Sequence, residues 1–180
     1  MDYRLIRANG YFVVKNSSGL EKLRTLEAMT DGHLTVKVFQ ENIPIGDLES
    51  FAVVRNPWAW QVSLFNYARK EQGHFQHGQP QYENFETYIR WRCGDEARLQ
   101  SHYLESHWGG IGVKHLLRFE SLSEGWSELA AKTGWKLPDL PHKNQSTYDS
   151  WKTYYSDDTA ALVGATFDKD CQQFGYRFDD

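Results

Sequence analysis

Cysteine is scarce. The 180 residues contain two, Cys93 and Cys171, far apart and with no metal-ligand spacing around either. That excludes a disulfide framework and a cysteine-based zinc site, and it fits buried thiols in a reduced compartment. No run approaches the ~20 apolar residues of a membrane span. The start, Met1-Asp-Tyr-Arg-Leu-Ile-Arg, lacks the apolar stretch of a signal peptide, so the expectation is a cytoplasmic protein with no membrane partner. Positive charge is also short. Against 24 Asp and Glu stand 20 Lys and Arg, a formal net charge of −4, which argues against the basic surface of a nucleic-acid binder. A few placed cations in one pocket could still hold an anionic ligand. There is no internal repeat, low-complexity tract or linker.

What is plentiful is aromatic: 15% of the chain, with seven Trp. The length predicts one domain over residues 1–180, able to bury roughly 70% of its unfolded surface.

The organising stretch is Phe51-Ala-Val-Val-Arg-Asn-Pro-Trp58 with the helix after it. It reads as a short strand ending at Arg55, then Asn56 as N-cap and Pro57 at the first helical position, where a missing N–H costs nothing. Trp58, Val62 and Phe65 then recur with the period of a half-buried helix. A helix N-terminus with open N–H groups beside a guanidinium is an anion site. Ser63, roughly 9 Å further along at 1.5 Å per residue, is placed to close on a phosphate that Arg55 holds.

A second such layout comes earlier. Gly10-Tyr-Phe-Val-Val14 reads as a strand, Lys15-Asn-Ser-Ser-Gly19 as a small-residue loop, and Ser18-Gly-Leu-Glu21 as a capping box opening a helix. Strand, loop and helix N-terminus form a phosphate cradle, here with a cation at the strand end. It is not a Walker A loop, because the Lys precedes the small residues. Repeated strand–loop–helix units predict an α/β fold with a central parallel sheet and helices on both faces. Further along, Gly32–Phe39 reads as a strand. Residues 70–79 read as a Gly/Gln/His-rich surface loop, in which His74 and His77 lack a third ligand. A helix is expected around Tyr82–Cys93, another over Glu96–Trp108, a strand over Lys114–Glu120, and a helix Ser123–Lys132 with Gly134 as its C-cap. Asp157-Asp158 opens a last helix whose face carries Val163, Phe167, Cys171 and Phe174.

Arg55-Asn-Pro-Trp-Ala-Trp-Gln-Val-Ser63-Leu-Phe65 resembles the R-[ND]-P-x-x-x-x-x-S-x-[YF] segment of sulfotransferases that use 3′-phosphoadenosine 5′-phosphosulfate (PAPS). The Lys15 loop resembles a divergent copy of that family's 5′-phosphosulfate loop, with Val14 in place of the usual Pro. Gly32-His33 resembles the start of the catalytic-base segment in glycosaminoglycan 2-O-sulfotransferases. Leu99-Gln-Ser-His-Tyr-Leu104, Arg118-Phe-Glu120, Leu140-Pro-His-Lys-Asn-Gln-Ser146 and Phe174-Gly-Tyr176 resemble later family segments. The likeness runs from about residue 11 to 178. It departs at Trp60, where the carbohydrate branch often has a second Arg.

The resemblance implies a P-loop-NTPase-like sulfotransferase architecture, with PAPS as co-substrate, no metal, and a hydroxyl acceptor on a saccharide. Arg55 and Ser63 would bind the 3′-phosphate. Lys15, Asn16, Ser17, Ser18, Gly19 and Leu20 would wrap the 5′-phosphosulfate, and Lys143 would reach the nucleotide. Lys15 would also meet the charge growing on the leaving phosphate. The base is His33, His102 or Glu105. Two other readings stay open: the same fold kept as a non-catalytic binding or scaffold module, and a small-molecule kinase with an atypical phosphate loop.

Overall fold

A computed structural model of the chain describes residues 4–8, 11–15, 35–42, 50–74, 76–94, 97–137, 139–140 and 150–180. The described strands are β1 Arg4–Ala8, β2 Tyr11–Lys15, β3 Ser50–Val54 and β4 His115–Arg118. The described helices are α1 Val36–Asn42, α2 Pro57–Lys70, α3 Phe85–Gly94, α4 Gln100–Leu104, α5 Leu122–Thr133, α6 Asp157–Thr166 and α7 Asp168–Phe174. The fold is mixed α/β. It divides into two compact units, Met1–Val54 with Gln100–Pro138, and Arg55–Leu99 with Asp139–Asp180.

The first unit holds the sheet, in the order β1-β2-β3-β4. Among the described strands only β3 and β4 run parallel, with Val54 opposite Arg118. The β1·β2 and β2·β3 pairs are antiparallel, so the sheet is mixed and not the parallel sheet expected from repeated strand–loop–helix units. For β1·β2 the reason is the connection. Only Asn9 and Gly10 separate the two strands, and a two-residue link can join only antiparallel neighbours. Phe51 is fully buried and packs with Leu117 of β4 and Leu129 of α5, while Trp126 meets it edge-on at 5.4 Å. Gly134 ends α5 as expected, at φ 70°, its N–H donating to the Ala130 carbonyl at 2.9 Å.

The expected strand over Gly32–Phe39 is overturned: from Val36 the chain is helical. Val-Lys-Val reads as alternation, but Thr35 starts a helix instead. Its Oγ1 accepts from Val38 N–H at 3.2 Å and its carbonyl from Phe39 N–H at 3.0 Å. A Cβ at Gly112 would collide with Val36 Cγ1, so only glycine lets that segment pass α1. The helix expected over Glu96–Trp108 shrinks to α4. Beyond Leu104 the chain turns, and Glu105 bridges to Ile111, because Gly109 and Gly110, at φ 86° and 70°, double it back.

The second unit is where the aromatics go. Phe65 of α2 lies 5.3 Å from Phe85, 5.4 Å from Tyr88 and 6.4 Å from a stacked Tyr82, centre to centre. Such pairs add about 0.5–1.5 kcal/mol each beyond their area burial. Trp58 crosses to α6, its Nε1–H donating to the Ala160 carbonyl at 2.8 Å. The face Val163, Phe167, Cys171, Phe174 forms as expected, but on two helices. Phe167 breaks the first, at φ −102° and ψ 23°, and α7 restarts after it. Among the described residues no helix is long and apolar enough to cross a membrane.

Candidate functional site

The junction between β3 and α2 folds as the local signals require. Val54 closes the strand, Arg55 follows half-buried, and Asn56 caps the helix with Pro57 at its first position. The cap changes what the junction can bind. Asn56 Oδ1 accepts from Trp58 N–H at 3.0 Å and from Ala59 N–H at 3.3 Å. Trp60 N–H donates to the Asn56 carbonyl at 2.9 Å, and Pro57 has no N–H. The expected open amides of the first turn are therefore already satisfied. What the first turn of α2 offers an anion is its dipole, not a ring of open backbone donors. Asn56 itself is buried and tied down, its Nδ2 donating to the Arg177 carbonyl at 2.9 Å.

Ser63 lies half-buried on α2. Trp58 is core. Trp60 is half-buried against Phe167, centroid to centroid 6.4 Å, and the Arg92 guanidinium sits 6.0 Å over its ring.

Lys15 closes β2. Because β2 runs antiparallel to β3, with Val13 opposite Ser50, Lys15 lies beyond the start of β3. About six residues of strand, roughly 20 Å at about 3.3 Å each, separate that level from Val54. Arg55 follows Val54, so this register does not bring Lys15 to the strand end that Arg55 extends. Asn16, Ser17, Ser18, Gly19, Leu20, His33 and Lys143 lie outside the described residues. His102 is exposed on α4, and Glu105, half-buried, sits in the bridge that follows it. Among the described residues no cluster of His, Cys, Asp and Glu could hold a metal ion.

A polar pair inside the second unit carries no expectation from the sequence. Gln61 is fully buried on α2, and its Oε1 accepts from the Tyr88 hydroxyl at 2.8 Å. Its Nε2 has no hydrogen-bond partner. The available signal was positional, since Gln61 falls on the same face as Trp58, Val62, Phe65 and Ala68. Burial pushes the Tyr88 hydroxyl far above its ordinary range, against the opposing pull of nearby Arg92. Burial also raises the Cys93 thiol, opposed by a hydrogen bond with Thr166. Cys171 is pushed up to about 11 by burial first, then by Asp170 and Asp168. Neither thiol is tuned as a nucleophile, which would need a lowered value.

Comparison of the chain with family models, curated proteins and solved structures finds no match.

Proposed function

We propose that this chain is a PAPS-dependent sulfotransferase that moves a sulfuryl group onto a hydroxyl of a saccharide. The observation that carries the reading is the β3–Arg55–Asn56–Pro57–α2 junction with Ser63 further along the helix. It is the 3′-phosphate half of the nucleotide site that the resemblance implies. The parallel pair β3·β4, with α5 following β4 and packing on it, supports a sulfotransferase-like architecture with helices over the sheet. In the reaction the acceptor oxygen attacks sulfur, the bond from sulfur to the 5′-phosphate oxygen breaks, and a base takes the acceptor's proton. Positioning and charge neutralisation do most of the work. The base is His33, His102 or Glu105, and such help is typically worth about 10²–10⁴-fold.

A second reading is favoured by one observation, the antiparallel register that carries Lys15 away from the end of β3. A chain with an intact 3′-phosphate clamp and no Lys15 at the 5′ end would bind the desulfated nucleotide and transfer nothing, as a binding or scaffold module.

Calorimetry with 3′-phosphoadenosine 5′-phosphate, run beside AMP, tests what the two readings share. The bisphosphate is expected to bind more tightly. Arg55→Ala should lose about 1.5–3 kcal/mol and Ser63→Ala about 0.5–1.5 kcal/mol, the costs of a charged and a neutral hydrogen bond. Equal binding of AMP, or no binding at high micromolar nucleotide, would overturn the assignment of Arg55 and Ser63. Transfer from radiolabelled PAPS to a saccharide panel then separates enzyme from module. Transfer abolished by His33→Ala, with nucleotide affinity kept, is the transferase result, and unchanged turnover moves the base to His102 or Glu105.

A further inference from the structure

The turn after α4 displays the most exposed large apolar side chain among the described residues. Trp108 is 80% exposed, against 42–46% for Tyr67, Leu116 and Phe119. Leaving an indole in water forgoes one of the largest hydrophobic gains a side chain offers, yet the turn that holds it out is firmly built. Ser106 N–H donates to the Gly110 carbonyl at 2.9 Å, and Gly109 N–H to the Ser106 carbonyl at 3.0 Å. Trp108 N–H donates to Ser106 Oγ at 3.2 Å. From α1, Gln40 Oε1 accepts from both Ser106 Oγ, at 3.1 Å, and His107 N–H, at 2.8 Å. Gly112 N–H closes the base on the Leu104 carbonyl at 2.8 Å. One polar side chain flanks the indole, and a second flanks that one. The His107 ring stands edge-on to it at 5.7 Å, and His107 Nδ1 lies 3.3 Å from Glu41 Oε1, both side chains about half exposed.

We propose that this turn is a saccharide-binding site. The indole stacks on the C–H face of a pyranose, and the Glu41 carboxylate and His107 imidazole hydrogen-bond its hydroxyls. The neighbours select this occupant. A protein hot spot sits inside a ring of contacts that excludes water, whereas among the described residues Trp108 is bordered by His107, Gly109 and Gly110, with Glu41 against His107. A sugar needs one flat apolar face with a few convergent polar groups at its rim. Because the turn is held by hydrogen bonds before any ligand arrives, little freedom is lost on binding. The inference goes beyond the transferase reading by naming residues that hold a sugar. It rests on that reading only for what happens to the bound sugar.

The test measures sugar binding to the full chain without nucleotide. Cellotetraose, chitotetraose and a heparosan tetrasaccharide are titrated by saturation-transfer NMR and calorimetry. At least one is expected to bind at millimolar affinity or better. Trp108→Ala should weaken it about tenfold, the scale of losing one aromatic stacking platform, Trp108→Phe should lose less, and Glu41→Gln should weaken it several-fold. Affinity for 3′-phosphoadenosine 5′-phosphate should not change in any of them. No binding by the three sugars at millimolar concentrations, or wild-type affinity in Trp108→Ala, overturns the site. Sugar binding that depends on Trp108, in a protein that transfers no sulfuryl group, supports the site and counts against the transferase reading.

Discussion

Asn56 is the residue on which the β3–α2 junction turns, and Asn56→Ala puts that to a number. The substitution removes the acceptor for two first-turn N–H groups, those of Trp58 and Ala59, both on buried residues. It also removes the donor to the Arg177 carbonyl. Loss of an N-cap side chain costs typically ~1 kcal/mol. Stranding a buried donor costs about 1–3 kcal/mol, and a lost neutral hydrogen bond about 0.5–1.5 kcal/mol. These overlap, because the cap figure already contains part of the stranded-donor cost. Arg177 is exposed, so its carbonyl can turn to water. The net expectation is about 2 kcal/mol, or about 4–8 °C in Tm for a chain of this length. Urea unfolding followed by circular dichroism reads it. Asn56→Asp is the discriminating partner. It keeps the acceptor and gains from the helix dipole but loses the Arg177 contact, so it should cost about half as much. Asn56→Ala within about 0.5 kcal/mol of wild type would mean that water replaces the cap and that something else fixes the junction. Equal losses for the two variants would move the whole effect onto Arg177.

Two glycine substitutions should differ in sign. At Gly164 a Cβ would sit 3.2 Å from Trp58 Cζ2, a ring pinned by Ala160 and Phe178. The helix-propensity gain of about 1 kcal/mol should be outweighed by overpacking of about 1–3 kcal/mol. At Gly125 the Cβ meets Leu117 Cδ2 at 3.3 Å, a methyl end that can rotate, so Gly125→Ala should stabilise by about 0.5 kcal/mol; equal signs in urea unfolding would refute the distinction. Tyr88→Phe should cost about 1–3 kcal/mol by leaving Gln61 with no partner at either end of its amide. Combined with Gln61→Leu it should cost less than the two singles together, and an additive cycle would deny the coupling. With its folded value raised, the Cys171 thiol keeps its proton where an unfolded thiol releases it. Its contribution to stability is therefore full below the ordinary 9.0 and lost as pH rises to about 11. Native labelling by a disulfide reagent should be slow near about pH 8 and climb through that window, and fast labelling at the lower pH would contradict the burial.

Features specified within a few residues were legible. The Asn56 cap, Pro57 and the α2 period are local chemistry, as are Gly134 and the acidic start of α6. Features decided by tertiary context were not. Val36-Lys-Val38 alternates like a strand, but the Thr35 cap and packing against Gly112 make it helical. The period through Val163 and Phe174 survives a break at Phe167, because two helices in succession can keep one buried face. The buried Gln61 needed a partner from α3 that no local pattern names.

Strand polarity is the deepest of these limits, and it bears on the function. Two strand–loop–helix units, each with a cation, look like two ends of one nucleotide site only if their strands run the same way. Nothing in Tyr11–Lys15 or Ser50–Val54 encodes that direction. Asn9-Gly10 announces an antiparallel β1·β2 hairpin, and that alone warns that the first cradle strand sits in a meander and not in a crossover unit. The sequence between β2 and β3 is long enough to allow either direction. With β2 antiparallel, the proposed phosphate binding at the end of β3 must come from side chains there, Arg55 first. The Asn56 cap removes the backbone alternative, since the amides that would otherwise meet the anion are spent on Oδ1 and the cap carbonyl. On the proposed function the 3′-phosphate is therefore held mainly by the Arg55 guanidinium, and Arg55→Ala should abolish preference for the bisphosphate over AMP and not merely weaken both.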